Sequence, residues 1–198
     1  NPGQVPDGEM GVWLMQGDGS DRTKLGGYGR PRWAPNGDQF LIVDFAKPPK
    51  VILIDQRVSH WNGRLDLGEP IVSVPGWTSQ GMIVAALSRA ADGKNADHIG
   101  LIETKGATPP KVTKLLWNRG DGADVDPIDP VHDPVADRCL FIGGSPEGMA
   151  IYAASGDDQR KAKKLENLPP DRLLRGLALS PDGRFLLFAS SRGGPSRD

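Results

Sequence analysis

Four times along this chain an apolar residue is followed by a small or polar one, a short turn and a second apolar run. The sharpest copy is LALSPDGRFLLFASSRGG at residues 177–194. RWAPNGDQFLIVDF at 32–45 keeps the same order, GWTSQGMIVAAL at 76–87 keeps the turn glycine but not the proline, and VHDPVADRCLFIGG at 131–144 keeps the proline but not the glycine. Proline presets one turn dihedral and glycine accepts the positive φ that other residues avoid, so Pro181-Asp182-Gly183 predicts a hairpin. The run from Phe185 to Phe188 reads as a strand buried on both faces. With Trp33, Trp77, His132 and Leu179 as equivalent positions, the spacings are 44, 55 and 47 residues. Strand-turn-strand units at a period of roughly 40–50 residues are the mark of propeller blades.

Each unit parses into four strands, the last marked by a basic residue before leucine in Lys24-Leu25, Arg64-Leu65, Lys114-Leu115 and Lys164-Leu165. Residues 28–67, 68–117 and 122–168 form complete blades, and 1–10 read as a linker. Residues 11–27 hold the last two strands of a blade and 171–198 the first two. The predicted fold is therefore all-β: a single domain, a small β-propeller of four blades, closed by pairing N-terminal strands (about 11–27) with C-terminal strands (about 174–190). With 26 glycines and 18 prolines in 198 residues, long helices are excluded and turn-linked strands are expected.

A net charge of −1 carries no electrostatic footprint for nucleic acid. No run reaches the 18 or so apolar residues of a membrane helix, so direct membrane insertion is not expected. The single cysteine, Cys139, lies inside CLFIG and reads as a small buried apolar group.

Residues 177–194, and more loosely 30–55, resemble the repeat of TolB-type, WD-like β-propellers, in which an apolar pair, Ser-Pro-Asp-Gly, an apolar strand and a charged glycine-rich turn recur. VWLMQGDGSDRTKL at 12–25 is similar to the third and fourth strands of that repeat. The resemblance implies a binding or scaffolding module in exported, periplasmic or envelope-associated proteins, or a propeller domain of a larger protein such as a serine peptidase.

The richest polar stretch, GDGADVDPIDPVHDPVAD at 120–137, gathers six aspartates and His132. Oxygen-rich clusters suit Ca²⁺, which takes six to eight oxygens in irregular geometry, and Asp124, Asp126, Asp129 and His132 are the candidate ligands. The competing reading is structural: Asp126, Asp129 and Asp133 each precede a proline, a common rigid turn former. Trp33 and Trp77 read as wedges between blades. Trp61, in the polar turn His60-Trp61-Asn62-Gly63, and Arg30 and Arg32, in the strand leading to Trp33, are candidate interaction residues. If that strand lines the channel, its basic face opposes the acidic run.

G-x-S-x-G, CxxC, HExxH and a P-loop are all absent. The expected function is a non-catalytic, monomeric scaffold that binds an unidentified protein or peptide partner and needs no cofactor. The alternatives are a ligand- or metal-binding propeller domain of a hydrolase or peptidase that uses residues 121–137, and a fragment of a larger propeller.

Overall fold

A computed structural model of the protein describes residues 11–26, 31–44, 50–55, 64–65, 69–90, 93–104, 111–119, 125–145, 147–155, 161–168 and 171–191. Among these residues every regular element is a strand, and every strand pairing is antiparallel.

The chain lays down its sheets one after another. β1 (Val12–Leu14) and β2 (Thr23–Gly26) form a two-stranded ribbon. The first four-stranded sheet is β3 (Arg32–Trp33), β4 (Gln39–Asp44), β5 (Lys50–Asp55) and β6 (Arg64–Leu65). The second is β7 (Gly76–Trp77), β8 (Ile83–Leu87), β9 (His98–Glu103) and β10 (Lys111–Asn118). The third is β11 (Ile128–Asp133), β12 (Arg138–Ser145), β13 (Gly148–Ser155) and β14 (Ala162–Lys164). A last ribbon joins β15 (Leu174–Leu179) and β16 (Leu186–Ser190). Within each sheet the strands neighbour one another in chain order.

Period-two alternation on the second strand of each unit sends side chains to two different interfaces. On β4, Phe40 and Ile42 meet Val12, Leu14 and Leu25 of the first ribbon, whereas Leu41 and Val43 meet Ile83, Ala85 and Leu87 of the second sheet. On β8, Val84 and Ala86 turn to the third sheet, and at that interface Trp117 of β10 lies 5.5 Å from Phe141 of β12, which stacks on Tyr152 at 5.7 Å. Leu140 and Ile142 of β12 meet Leu174 and Leu177, with Leu186 and Phe188 beside them. Each fully buried leucine or phenylalanine of these interfaces contributes about 1.5–3 kcal/mol. Cys139 is fully buried among them, and that burial pushes its thiol pKa far up.

Two expectations differ from this arrangement. The strands near 11–27 and 174–190 do not form one closing blade: among the described residues each pair stays a separate two-stranded ribbon, packed on its nearest sheet in the chain. The run from Phe185 to Phe188 is not buried on both faces, because Phe185 is 66% and Leu187 73% exposed. Burial of a strand requires a neighbour on each side, and this ribbon has one on a single side. Residues 1–10, expected as a linker, lie outside the described residues.

Candidate functional site: the depression between the inner strands

The first strands of the four C-terminal units, β3, β7, β11 and β15, converge on a depression of about 280 Å³. Trp33, Trp77, His132 and Leu179 all line it, and so do Pro35, Ser79, Pro134 and Pro181, each two residues further on. The common register comes from a common turn. Ala34, Thr78 and Ser180 each donate their N–H across the hairpin, to Gln39, Met82 and Phe185 carbonyls at 2.8 Å. The same three residues accept from Gly37, Gly81 and Gly183, which sit at φ +72, +78 and +72. In the third unit Asp137, at φ 44, stands in place of the turn glycine, and the Asp133 carboxylate steadies the turn: it accepts the Val135 and Ala136 N–H groups at 3.1 and 3.2 Å and the Arg138 Nε–H at 2.9 Å. These bonds hold the Asp133 carboxyl below its ordinary pKa against the opposing effect of burial.

The inner strands are also tied sideways. Trp77 donates its indole N–H to the Arg32 carbonyl at 2.9 Å, and Asp129 accepts the Gly176 N–H at 2.8 Å. Asp129 stands at φ 48, where β11 breaks register ahead of Val131. Pro130, with no N–H to give the ladder, explains the break.

The depression is chemically mixed. Arg32 is exposed, and Trp33, tilted against Phe40 at 4.8 Å, leaves 51% of its surface open. His132 is 8% exposed, and neither ring nitrogen has a hydrogen-bond partner. Its Nε2 lies 3.6 Å from Asp137 Oδ1, beyond hydrogen-bond range. Burial depresses the His132 pKa, opposed by the Asp137 carboxylate and reinforced by Lys114, whose ammonium holds Asp137 at 2.6 and 2.7 Å. Both ring nitrogens are closed off from solvent, so His132 meets the depression with ring carbon rather than with a free polar atom.

The sequence-derived site residues fall in different places. Arg32 and His132 come together in the depression. Asp126 pairs with Arg119, and Asp129 is spent on Gly176. Among the described residues no three histidine, cysteine or acidic side chains gather as a metal-holding group. Asp124, Arg30 and Trp61 lie outside the described residues. Of the two expected wedges, Trp77 bridges two sheets as anticipated, while Trp33 faces the open depression. Among the described residues of the acidic run, Asp133 and Asp137 are engaged by Arg138 and Lys114 rather than facing Arg32. Sequence reading missed Lys114 as the partner of Asp137. It also missed Asp171, whose carboxylate accepts from the Ser190 and Ser191 hydroxyls and so clamps the end of β16. Neither pair follows a motif.

No family model matches the chain, and no curated protein matches it. Among solved structures it is similar to the β-propeller domain of Cps50 (Swd1) from Myceliophteria thermophila, with TM-score 0.56 and 15% identity over 87% of this chain and 52% of that one. It is also similar to a chain of the mitotic checkpoint complex, with TM-score 0.50 and 17% identity over 86% of this chain and 48% of that one. The fold is thus of the β-propeller type: all-β, built of successive antiparallel sheets around a common axis. The chain spans about half the length of these solved structures.

Proposed function

We propose that this chain is a non-catalytic interaction module, an arc of a propeller that holds a peptide or loop of a protein partner over the depression between its inner strands. The observation that carries this reading is the convergence of Trp33, Trp77 and His132 with the Arg32 cation on one opening of about 280 Å³. That volume lies at the lower edge of small-molecule sites, about 300–1,000 Å³, so it suits one or two side chains better than a cofactor. An exposed indole beside a guanidinium favours a partner segment with an acidic residue next to an apolar or aromatic one.

An arc of a wider ring, rather than a closed four-bladed one, is supported by the separate end ribbons and by similarity along nearly the whole chain to about half of a propeller. The test is selection of binders from a displayed peptide library, followed by titration against the unaltered chain and against Trp33→Ala and Arg32→Glu. The expected result is enrichment of acidic-aromatic segments whose affinity falls at least about tenfold, near 1.4 kcal/mol, in either variant. Binders that ignore both substitutions would overturn the reading.

A further inference from the structure

Successive side chains of a strand point to opposite faces, so a run of neighbours can meet one opening only through its backbone edge. Residues 177–181, along β15 and into its turn, all line the depression. The units of β3, β7 and β11 each reach it with a neighbouring pair and one residue beyond a gap. β15 therefore lays its main chain along the wall.

The hydrogen-bond ladder decides which main-chain groups that edge offers. Opposed residues of an antiparallel pair alternate between exchanging hydrogen bonds and turning their N–H and C=O outward. The Ser180 N–H meets the Phe185 carbonyl at 2.8 Å, so the next pair in register, Leu179 with Leu186, is of the outward kind. Ala34 with Gln39 and Thr78 with Met82 bond at the same 2.8 Å, which makes Trp33 with Phe40 and Trp77 with Ile83 outward pairs as well. β3, β7 and β15 are each an edge strand of their sheets, so among the described residues no ladder takes the N–H and C=O groups of Trp33, Trp77 and Leu179. The side-chain ties between inner strands go to the Arg32 carbonyl and the Gly176 N–H and leave these groups alone.

We infer that the partner segment is held by its main chain. One of its residues lies extended against β15, its C=O accepting the Leu179 N–H and its own N–H donating to the Leu179 carbonyl, while adjoining side chains meet Trp33 and Arg32. This rests on the reading of the depression as a partner site and adds how the occupant is recognised. Edge pairing of this kind supplies affinity through the backbone and leaves selectivity to the side chains. Here the exposed Arg32 cation selects an acidic segment, and one paired residue with its neighbour suits an opening of about 280 Å³. A protein segment fits where a small carboxylate does not, because a carboxylate has no N–H to give the Leu179 carbonyl. Proline is excluded from the paired position for the same reason.

Proline at an outward edge position removes an N–H that no ladder uses, so Leu179→Pro deletes the proposed donor, and Leu179→Ala is its match with the donor kept. Titration calorimetry of the intact chain with the acidic-aromatic peptide selected against it tests the inference. Leu179→Pro should bind at least about fivefold more weakly than Leu179→Ala, both variants keeping the circular dichroism spectrum of the unaltered chain. On the peptide side, replacing one amide at a time with an ester removes one N–H. The expected scan has a single ester at which affinity falls about fivefold, with neighbours that bind as the parent does. Where Leu179→Pro fails to fold, the scan decides. Equal binding by folded Leu179→Pro and Leu179→Ala, or a flat ester scan, would overturn the inference while the losses in Trp33→Ala and Arg32→Glu still stand, leaving recognition to side chains. Binders that ignore those two substitutions would end the reading of the depression itself, and this inference with it.

Discussion

Trp77 donates its indole N–H to the backbone carbonyl of Arg32 at 2.9 Å, so one inner strand is fastened to the one before it by a side chain rather than by a strand ladder. Between β3 and β7 no ladder exists, because they belong to different sheets. Trp77→Phe keeps most of the ring's apolar contact and removes the donor. The expected cost is about 0.5–1.5 kcal/mol, the net worth of one such bond. Equilibrium unfolding in urea should show it as a lower midpoint with an unchanged slope.

Leu140 and Leu187 hold the same place in successive units and differ in exposure, 2% against 73%. Leu140→Ala should cost about 2–5 kcal/mol through lost transfer energy and the cavity left between the third sheet and the last ribbon. Leu187→Ala should cost under about 0.5 kcal/mol, as surface substitutions do. Thermal melts of the two variants side by side check the contrast. Equal losses would mean that the last ribbon is covered within a single chain.

That contrast also marks what could be read from the residues alone. The turns were legible, because Pro35, Gly37, Gly81, Pro181 and Gly183 state their backbone requirements locally. The antiparallel, all-β character followed from the same punctuation. Burial of Leu187 was not legible, since an apolar run looks identical whether or not a neighbour covers it. Within the candidate site, the repeat position singled out Trp33, Trp77 and His132 together. The partners of the acidic residues were invisible, because Lys114 and Asp137 stand 23 residues apart and Asp129 and Gly176 stand 47 apart, with no motif linking them. The third unit shows how such substitutions arise: Asp137 takes the left-handed position of the missing turn glycine, and the Asp133 carboxylate gathers the N–H groups of the turn.

Acidification should destabilise the protein in two stages. His98, 3% exposed beside Glu69, and His132, 8% exposed near Asp137, both have pKa values depressed below 6.5, chiefly by burial. The unfolded chain therefore binds more protons than the folded one between each depressed value and 6.5, and stability falls as pH drops through that window. Asp133, Asp137 and Asp171 are held below 3.8 by their hydrogen bonds, so their contribution is full above that value and is lost as pH falls through the folded values. Melting temperature should decline first as the pH drops below about 6.5, and His132→Gln should flatten part of that first decline. A melting temperature higher at pH 5 than at pH 7 would contradict the direction.

Calcium should leave the melting temperature unchanged. Stabilisation by a bound ion grows as the logarithm of one plus the ratio of its free concentration to its dissociation constant, so an ion at 100 times that constant would add about 2.7 kcal/mol. Hard cations need carboxylate oxygens that are free to converge. Here Asp126 faces Arg119, Asp129 accepts the Gly176 N–H, and Asp133 accepts two N–H groups and Arg138. An ion drawing in Asp126 and Asp129 would have to displace a guanidinium from the first and break the tie between β11 and β15 at the second. Among the described residues the aspartates of the run are therefore read as turn chemistry, each already engaged inside the fold. Melts with and without millimolar calcium decide the point, and Asp129→Asn sharpens it. That variant weakens the tie to Gly176, so it should lower the melting temperature to the same extent in both buffers. A calcium-dependent rise in the unaltered chain that vanishes in Asp129→Asn would instead make Asp129 a ligand.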